Sequence, residues 1–262
     1  MRSQAEKCAV FRSLHQRDRA FVIPNPWDVG ALKILEELGF EALATTSAGY
    51  AQSIGKNDGD VDRDSMIAHA GVLAGASDLP MSADLENGYA DDAAGVAETV
   101  RLAAAAGLAG CSIEDLPAHR EGEPYEIAFA AERVRAAAEV AHALPFPFML
   151  TARAENFIAG RPDLTDTIAR LQAFQEAGAD VLYAPGLSTR EDVAAVVRSI
   201  DRPLNVLAGL PSMHLGLDEL SALGVKRISI GSTLSRVAYS AARKAAAEIR
   251  EKGTFTLLSS RA

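Results

Sequence analysis

Short apolar, β-branched runs alternate along the chain with longer amphipathic segments rich in alanine. The runs are FVIP at 21–24, ALATT at 42–46, PMSAD at 80–84 and CSIED at 111–115. They continue with FMLTA at 148–152, VLYAP at 181–185, LNVLA at 204–208 and RISIG at 227–231. Runs of this length separated by helical segments are the signature of repeated βα units and a parallel sheet. The intervening segments include SMIAHAGVLAGA, AAGVAETVRLAAAAG, AERVRAAAEVAHAL and LTDTIARLQAFQEAG. The phrases ELGFEAL, AAGLAGCSI, EAGADVLY and ALGVKRISI share one plan of helix end, Gly, short turn and buried strand, with Gly as the C-terminal cap.

Eight such units predict an α/β fold, a closed (β/α)8 TIM barrel, formed as a single domain over 1–262. The alternative is an open doubly wound sheet, but the turn after the first strand reads NPWDVG and not GxGxxG. The segment at 3–16 is expected to be an extra helix covering the barrel floor. STLSRVAYSAARKAAAEIREKG forms a long C-terminal helical extension suited to packing on its own barrel or on a neighbouring subunit.

Composition narrows the setting. The 262 residues are 48% hydrophobic and 23% charged, as in an ordinary soluble globular protein. A net charge of −9 argues against nucleic acid as a partner, which would need clustered Lys and Arg. Cys8 and Cys111 do not make a disulfide framework, and the N-terminus lacks the apolar stretch of a signal peptide. No apolar run reaches the length that spans a bilayer. A cytoplasmic protein without a membrane partner is expected.

In a barrel of this type the chemistry lies at the C-terminal ends of the strands. Asp84 and Glu86 end the third strand, where period-two alternation points both to one side, and Glu114 ends the fourth. Three carboxylates in one mouth repel one another unless a cation neutralises them. Oxygen donors without His or Cys suit Mg2+ or Mn2+. Arg153 joins the same mouth, where its planar fork suits a carboxylate or phosphate, or a salt bridge to Glu114 or Glu155. The turn Thr46, Ser47, Ala48 offers a small anion cradle. The stretch YAQSIGKNDGDVDRD is longer than a usual βα loop and is expected to act as a lid carrying Lys56 and Asp58 near its tip. There is no GxxxxGK[ST], HExxH or GxSxG, and His15, His69, His119, His142 and His214 are scattered.

NPWDVG, TTSAGYA, ADLENGYA, SIEDL, TARAEN and YAPGL occur in this order, and over roughly residues 8–245 the chain resembles the isocitrate lyase/phosphoenolpyruvate mutase superfamily, in particular its short PEP mutase-like members. The resemblance implies Mg2+-dependent cleavage or formation of C–C or P–C bonds next to a 2-oxo acid. It makes Asp84 a direct metal ligand, and Glu86 and Glu114 acids acting through metal-bound water. Arg153 matches the arginine that binds substrate carboxylate or stabilises departing charge, Thr46, Ser47 and Ala48 match the turn that holds the oxo-acid carboxylate, and Asp58 matches a lid aspartate. It also implies a homo-oligomer, dimer or tetramer, with the last helix exchanged between subunits.

Two departures bear on the substrate. Isocitrate and methylisocitrate lyases carry a cysteine-bearing lid after strand 4, where this chain reads LPAHREGEPY. Phosphonate mutases carry a His at the end of strand 6, where this chain reads YAPGL. A C–C lyase acting on a small 2-oxo or 2-hydroxy dicarboxylate, of the oxaloacetate or alkylmalate type, is therefore expected. The alternatives are phosphonopyruvate hydrolase or phosphoenolpyruvate mutase chemistry, and a non-catalytic 2-oxo acid-binding protein.

Overall fold

The computed structural model describes residues 2–117 and 123–259. Eight parallel strands form one sheet: β1 (Phe21–Ile23), β2 (Leu43–Ala44), β3 (Met81–Asp84), β4 (Gly110–Glu114), β5 (Met149–Arg153), β6 (Val181–Tyr183), β7 (Leu204–Leu207) and β8 (Arg227–Ser229). Their order is β1-β8-β7-β6-β5-β4-β3-β2, with each expected strand present and its ends within a few residues of the apolar run. The result is a nearly closed barrel with surrounding helices.

The one gap in the ladder lies between β1 and β2. There the backbone link is Ala44 N–H to the Pro24 carbonyl at 3.1 Å. Pro24 has no N–H to give in return. The Asn25 side chain takes over: its Nδ2 donates to the Thr45 carbonyl at 2.9 Å and its Oδ1 accepts from Ile230 N–H at 3.1 Å.

The floor is closed by α1 (Gln4–Leu14). A capping box between Ser3 and Glu6 starts this helix, and its Cys8, Phe11 and Leu14 are fully buried. They pack on Phe21, Ala42, Ala109, Met149 and Val181 at the lower ends of the strands. Outside the barrel run α2 (Val29–Glu37), α4 (Arg63–Ala76), α5 (Ala93–Ala105), α6 (Ile127–His142), α7 (Leu164–Glu176), α8 (Arg190–Ser199) and α9 (Leu217–Ala222). After α2, α5, α7 and α9 the chain passes through Gly39, Gly107, Gly178 and Gly224, each at positive φ. Each of these turns carries the paired bonds of a Schellman cap, such as Gly39 N–H to Glu36 O and Phe40 N–H to Leu35 O.

The segment after β2 departs from the expected long loop. Its start is a helix, α3 (Ser47–Ser53), because Thr46 caps it by accepting from Gly49 N–H at 3.2 Å. The connection shrinks to residues 54–62 before α4, which is capped by Asp62. At the other end, α10 (Thr233–Lys252) buries only Ser235, leaving Val237 and Ile249 exposed. It is followed by α11 (Thr256–Ser259). No described helix is long and apolar enough to cross a membrane.

Candidate active site

The C-terminal mouth of the barrel opens into a cavity of about 500 Å³. Asp58, Asp84, Arg153, Thr46, Ser47 and Ala48 line it together. Lys56 does not reach the cavity: it is exposed and its Nζ lies 3.4 Å from the Asp60 carbonyl. Asp58, by contrast, is drawn in by the Ser47 hydroxyl, whose Oγ lies 3.0 Å from Asp58 Oδ1 and 3.3 Å from Asp84 Oδ2. A hydroxyl has one proton, so it can donate to only one of these carboxylates at a time. Two negative groups therefore face each other across Ser47.

Arg153 meets the acids from the other side. Nη1 is 2.7 Å from Asp84 Oδ1, Nη2 is 3.1 Å from Glu114 Oε2, and Nε is 2.8 Å from Glu155 Oε1. Glu114 and Arg153 are register partners in adjacent strands, which fixes their approach. Burial alone would lower the Arg153 pKa, but Glu155, Glu114 and Asp84 outweigh it and hold the value well above the ordinary guanidinium range. Its guanidinium also lies over the Tyr183 ring, 5.1 Å from the centroid.

Glu86 does not sit where strand alternation put it. β3 ends at Asp84, and Glu86 adopts φ 48° in a turn that also holds Tyr89 at φ 56°. Glu86 is consequently buried beside the cavity and not on its wall, and Glu114, at the end of β4, is buried there too. The acids still share one field. The Tyr89 hydroxyl is pushed far above its ordinary value, first by burial and then by Glu86, Asp84, Glu114 and Asp58.

The donor chemistry fits a hard divalent cation, with carboxylate oxygens and no thiol or imidazole. Among the described residues, however, no three His, Cys, Asp or Glu side chains converge as a ready-made metal cage. Arg153 occupies the space between Asp84 and Glu114, so this geometry does not present Asp84, Glu86 and Glu114 as three direct ligands.

A supporting ring lies outside the mouth. Asp115 accepts from Glu155 N–H at 2.8 Å and pairs with Arg170 at 2.9 Å. Burial raises its pKa to about 6, against the pull of those partners. Arg133 of α6 donates to the carbonyls of Asn87, Ala90, Asp91 and Glu114, tying the strained turn after β3 to the end of β4.

The structure also adds residues that the strand-end pattern missed. Tyr183, Asn205, Arg227 and Ser229 line the cavity from within the barrel. Their signal was a polar residue at inward positions of apolar strands, as in R-I-S-I. The four described histidines stay apart from the mouth: His15 lies in the floor, His69 stacks on Tyr50, His142 pairs with Asp180, and His214 is exposed. Cys111 is buried in the core. His119 and the centre of LPAHREGEPY fall outside the described residues.

This barrel, with acids and an arginine gathered at its mouth, has clear relatives. The family model for phosphoenolpyruvate phosphomutase matches residues 11–250, and the chain belongs to this family, within the isocitrate lyase/PEP mutase superfamily. An uncharacterized protein of Mycobacterium tuberculosis is 37% identical over 240 residues, covering 90% of this chain and 86% of the relative. A structure from Burkholderia cenocepacia J2315, provisionally assigned as a lyase/mutase, is 53% identical with a TM-score of 0.95, covering 99% of this chain and 93% of that one. Oxaloacetate acetylhydrolase, solved with its product oxalate, is 27% identical with a TM-score of 0.87, covering 97% and 89%. A further structure of that enzyme holds the inhibitor 3,3-difluorooxalacetate.

Proposed function

We propose that this protein is a Mg2+-dependent lyase that cleaves a C–C bond of a small 2-oxo or 2-hydroxy dicarboxylate through an enolate-like intermediate. The observation that carries this reading is the placement of Asp58 and Asp84 across the Ser47 hydroxyl, with Arg153 beside them, in one cavity at the strand ends. Kinship with oxaloacetate acetylhydrolase supports the substrate class. When bound, Mg2+ (or Mn2+) supplies Lewis-acid polarisation of the substrate carbonyl. Asp84 would hold the cation directly, and Glu86 and Glu114 would contribute through water.

The chain's own groups do the rest. Thr46, Ser47 and Ala48 receive the oxo-acid carboxylate where α3 begins, a place that favours negative charge. Arg153 stabilises charge that builds up as the bond breaks, already oriented by Glu114 and Glu155. Asp58 is placed to accept or return a proton at the cavity edge. The exposed apolar side chains of α10 and of Phe255, Leu257 and Leu258 support a homo-oligomer.

The test is a Mg2+-dependent screen of oxaloacetate, alkylmalates, methylisocitrate and phosphonopyruvate, read by pyruvate, oxalate or phosphate formation. Pyruvate or oxalate from a dicarboxylate is expected, and phosphate release from phosphonopyruvate would instead support P–C chemistry. Asp84→Ala should lower turnover on the order of 100-fold or more and abolish the response to Mg2+. Full activity in that variant would overturn the assignment.

A further inference from the structure

Arg236 also lines the cavity, and deeper within it lies a further guanidinium. Strand β8 turns Arg227 and Ser229 inward, and β7 turns Asn205 and Leu207 to meet them. Arg227 is only 5% exposed. Its Nε donates to Asn205 Oδ1 at 2.9 Å, and Asn205 Nδ2 donates in turn to Ser229 Oγ at 2.9 Å. Its Nη1 is buried and has no hydrogen-bond partner.

The other buried arginines have anionic or carbonyl partners within the protein. Arg153 has three carboxylates, Arg170 has Asp115, Asp166 and the Tyr125 carbonyl, and Arg133 has four backbone carbonyls. Arg227 pairs with no carboxylate among the described residues. Burial accordingly pulls its pKa down to about 10, with Tyr183 opposing and Arg153 adding to the fall. A cation held in this way is poorly compensated by the protein itself, and a planar fork opening on a cavity is suited to an anion.

We infer that Arg227 anchors a second anionic group of the substrate, a carboxylate or a phosphonate, at the end remote from the Asp84–Arg153 mouth. This rests on the oxo-acid reading of the mouth itself. Asn205 is a positioning residue that holds Nε and so fixes the guanidinium against the cavity. The arrangement makes the enzyme selective for substrates with an acidic group at both ends.

Calorimetric titration in the presence of Mg2+ tests this on the native protein, Arg227→Gln and Arg227→Lys. The probes are oxalate, two carbons long and expected to reach the mouth alone, and 3,3-difluorooxalacetate and phosphonopyruvate, which carry a carboxylate or a phosphonate further along the molecule. Arg227→Gln should weaken the longer probe that the native protein prefers on the order of 100-fold, with partial recovery in Arg227→Lys. Oxalate should bind all three proteins within about 3-fold, which also shows that the variants are folded. The preferred long probe tells carboxylate from phosphonate. Equal weakening of oxalate and the longer probe, unchanged binding of the longer probe, or native binding of oxalate alone would each overturn the role of Arg227. Failure of the native protein to bind oxalate would overturn the oxo-acid reading, and the Arg227 assignment with it.

Discussion

A proton taken up inside the barrel floor has nowhere to be solvated, and His15 makes this measurable. The ring is 3% exposed, its Nδ1 lies 2.8 Å from the Phe11 carbonyl, and the rings of Phe11 and Phe21 meet it edge-on. Burial, and then the charge of Arg227, lower its pKa from 6.5 to about 3, against the Phe11 carbonyl. The unfolded chain therefore takes the proton first. Stability from the neutral ring is fully present above about pH 6.5 and is lost as pH falls toward 3. At about pH 5 the loss is about 2 kcal/mol, or roughly 4–8 °C in Tm. Between about pH 7.5 and 5 the native protein should lose that much more Tm than His15→Leu in thermal melts. Parallel curves would show that His15 does not carry the acid sensitivity.

At the scale of elements, Arg133 joins α6 to the turn after β3. Replacing it with Met leaves the buried carbonyls of Asn87 and Glu114 and the part-buried carbonyls of Ala90 and Asp91 without that donor, at a cost of about 3 kcal/mol or more. Arg133→Met should melt roughly 6–12 °C lower than the native protein. The elements themselves were largely written in the sequence, because each βα unit repeats the same helix–Gly–strand phrase. The Schellman turns at Gly39, Gly107, Gly178 and Gly224 are the physical content of that phrase. Helix α3 was not legible, since SAGYAQS has no apolar stripe and forms through the Thr46 cap and its tertiary setting. Among site residues, Asp84 and Arg153 announce themselves as polar groups at strand ends. Glu86 does not follow strand periodicity, because β3 stops two residues earlier. Arg227 and Asn205 stayed hidden, because polar residues within apolar strands are recognised as cavity lining only once the barrel closes.

Across the whole molecule, the barrel wall is uneven. Around most of its circumference neighbouring strands exchange backbone bonds on both sides, and β4 and β5 share five register pairs. At β1 and β2 the wall depends on Ala44 N–H and the Asn25 amide, beside the mouth where Thr45, Thr46 and Ser47 begin the site. The amides along β2 and the residue after it alternate in direction: Leu43 donates to Pro80 and Thr45 to Ser82 on the β3 side, and Ala44 donates across the seam. Hydrogen–deuterium exchange should therefore distinguish neighbours one residue apart, with Ala44 exchanging through a local opening well before Leu43 and Thr45. Asn25→Ala should speed exchange at Ala44 further. Equal protection of the three amides would mean that the seam is as firm as the rest of the wall. If it opens first, the barrel has a preferred line of breathing, and that line runs into the turn that receives the substrate.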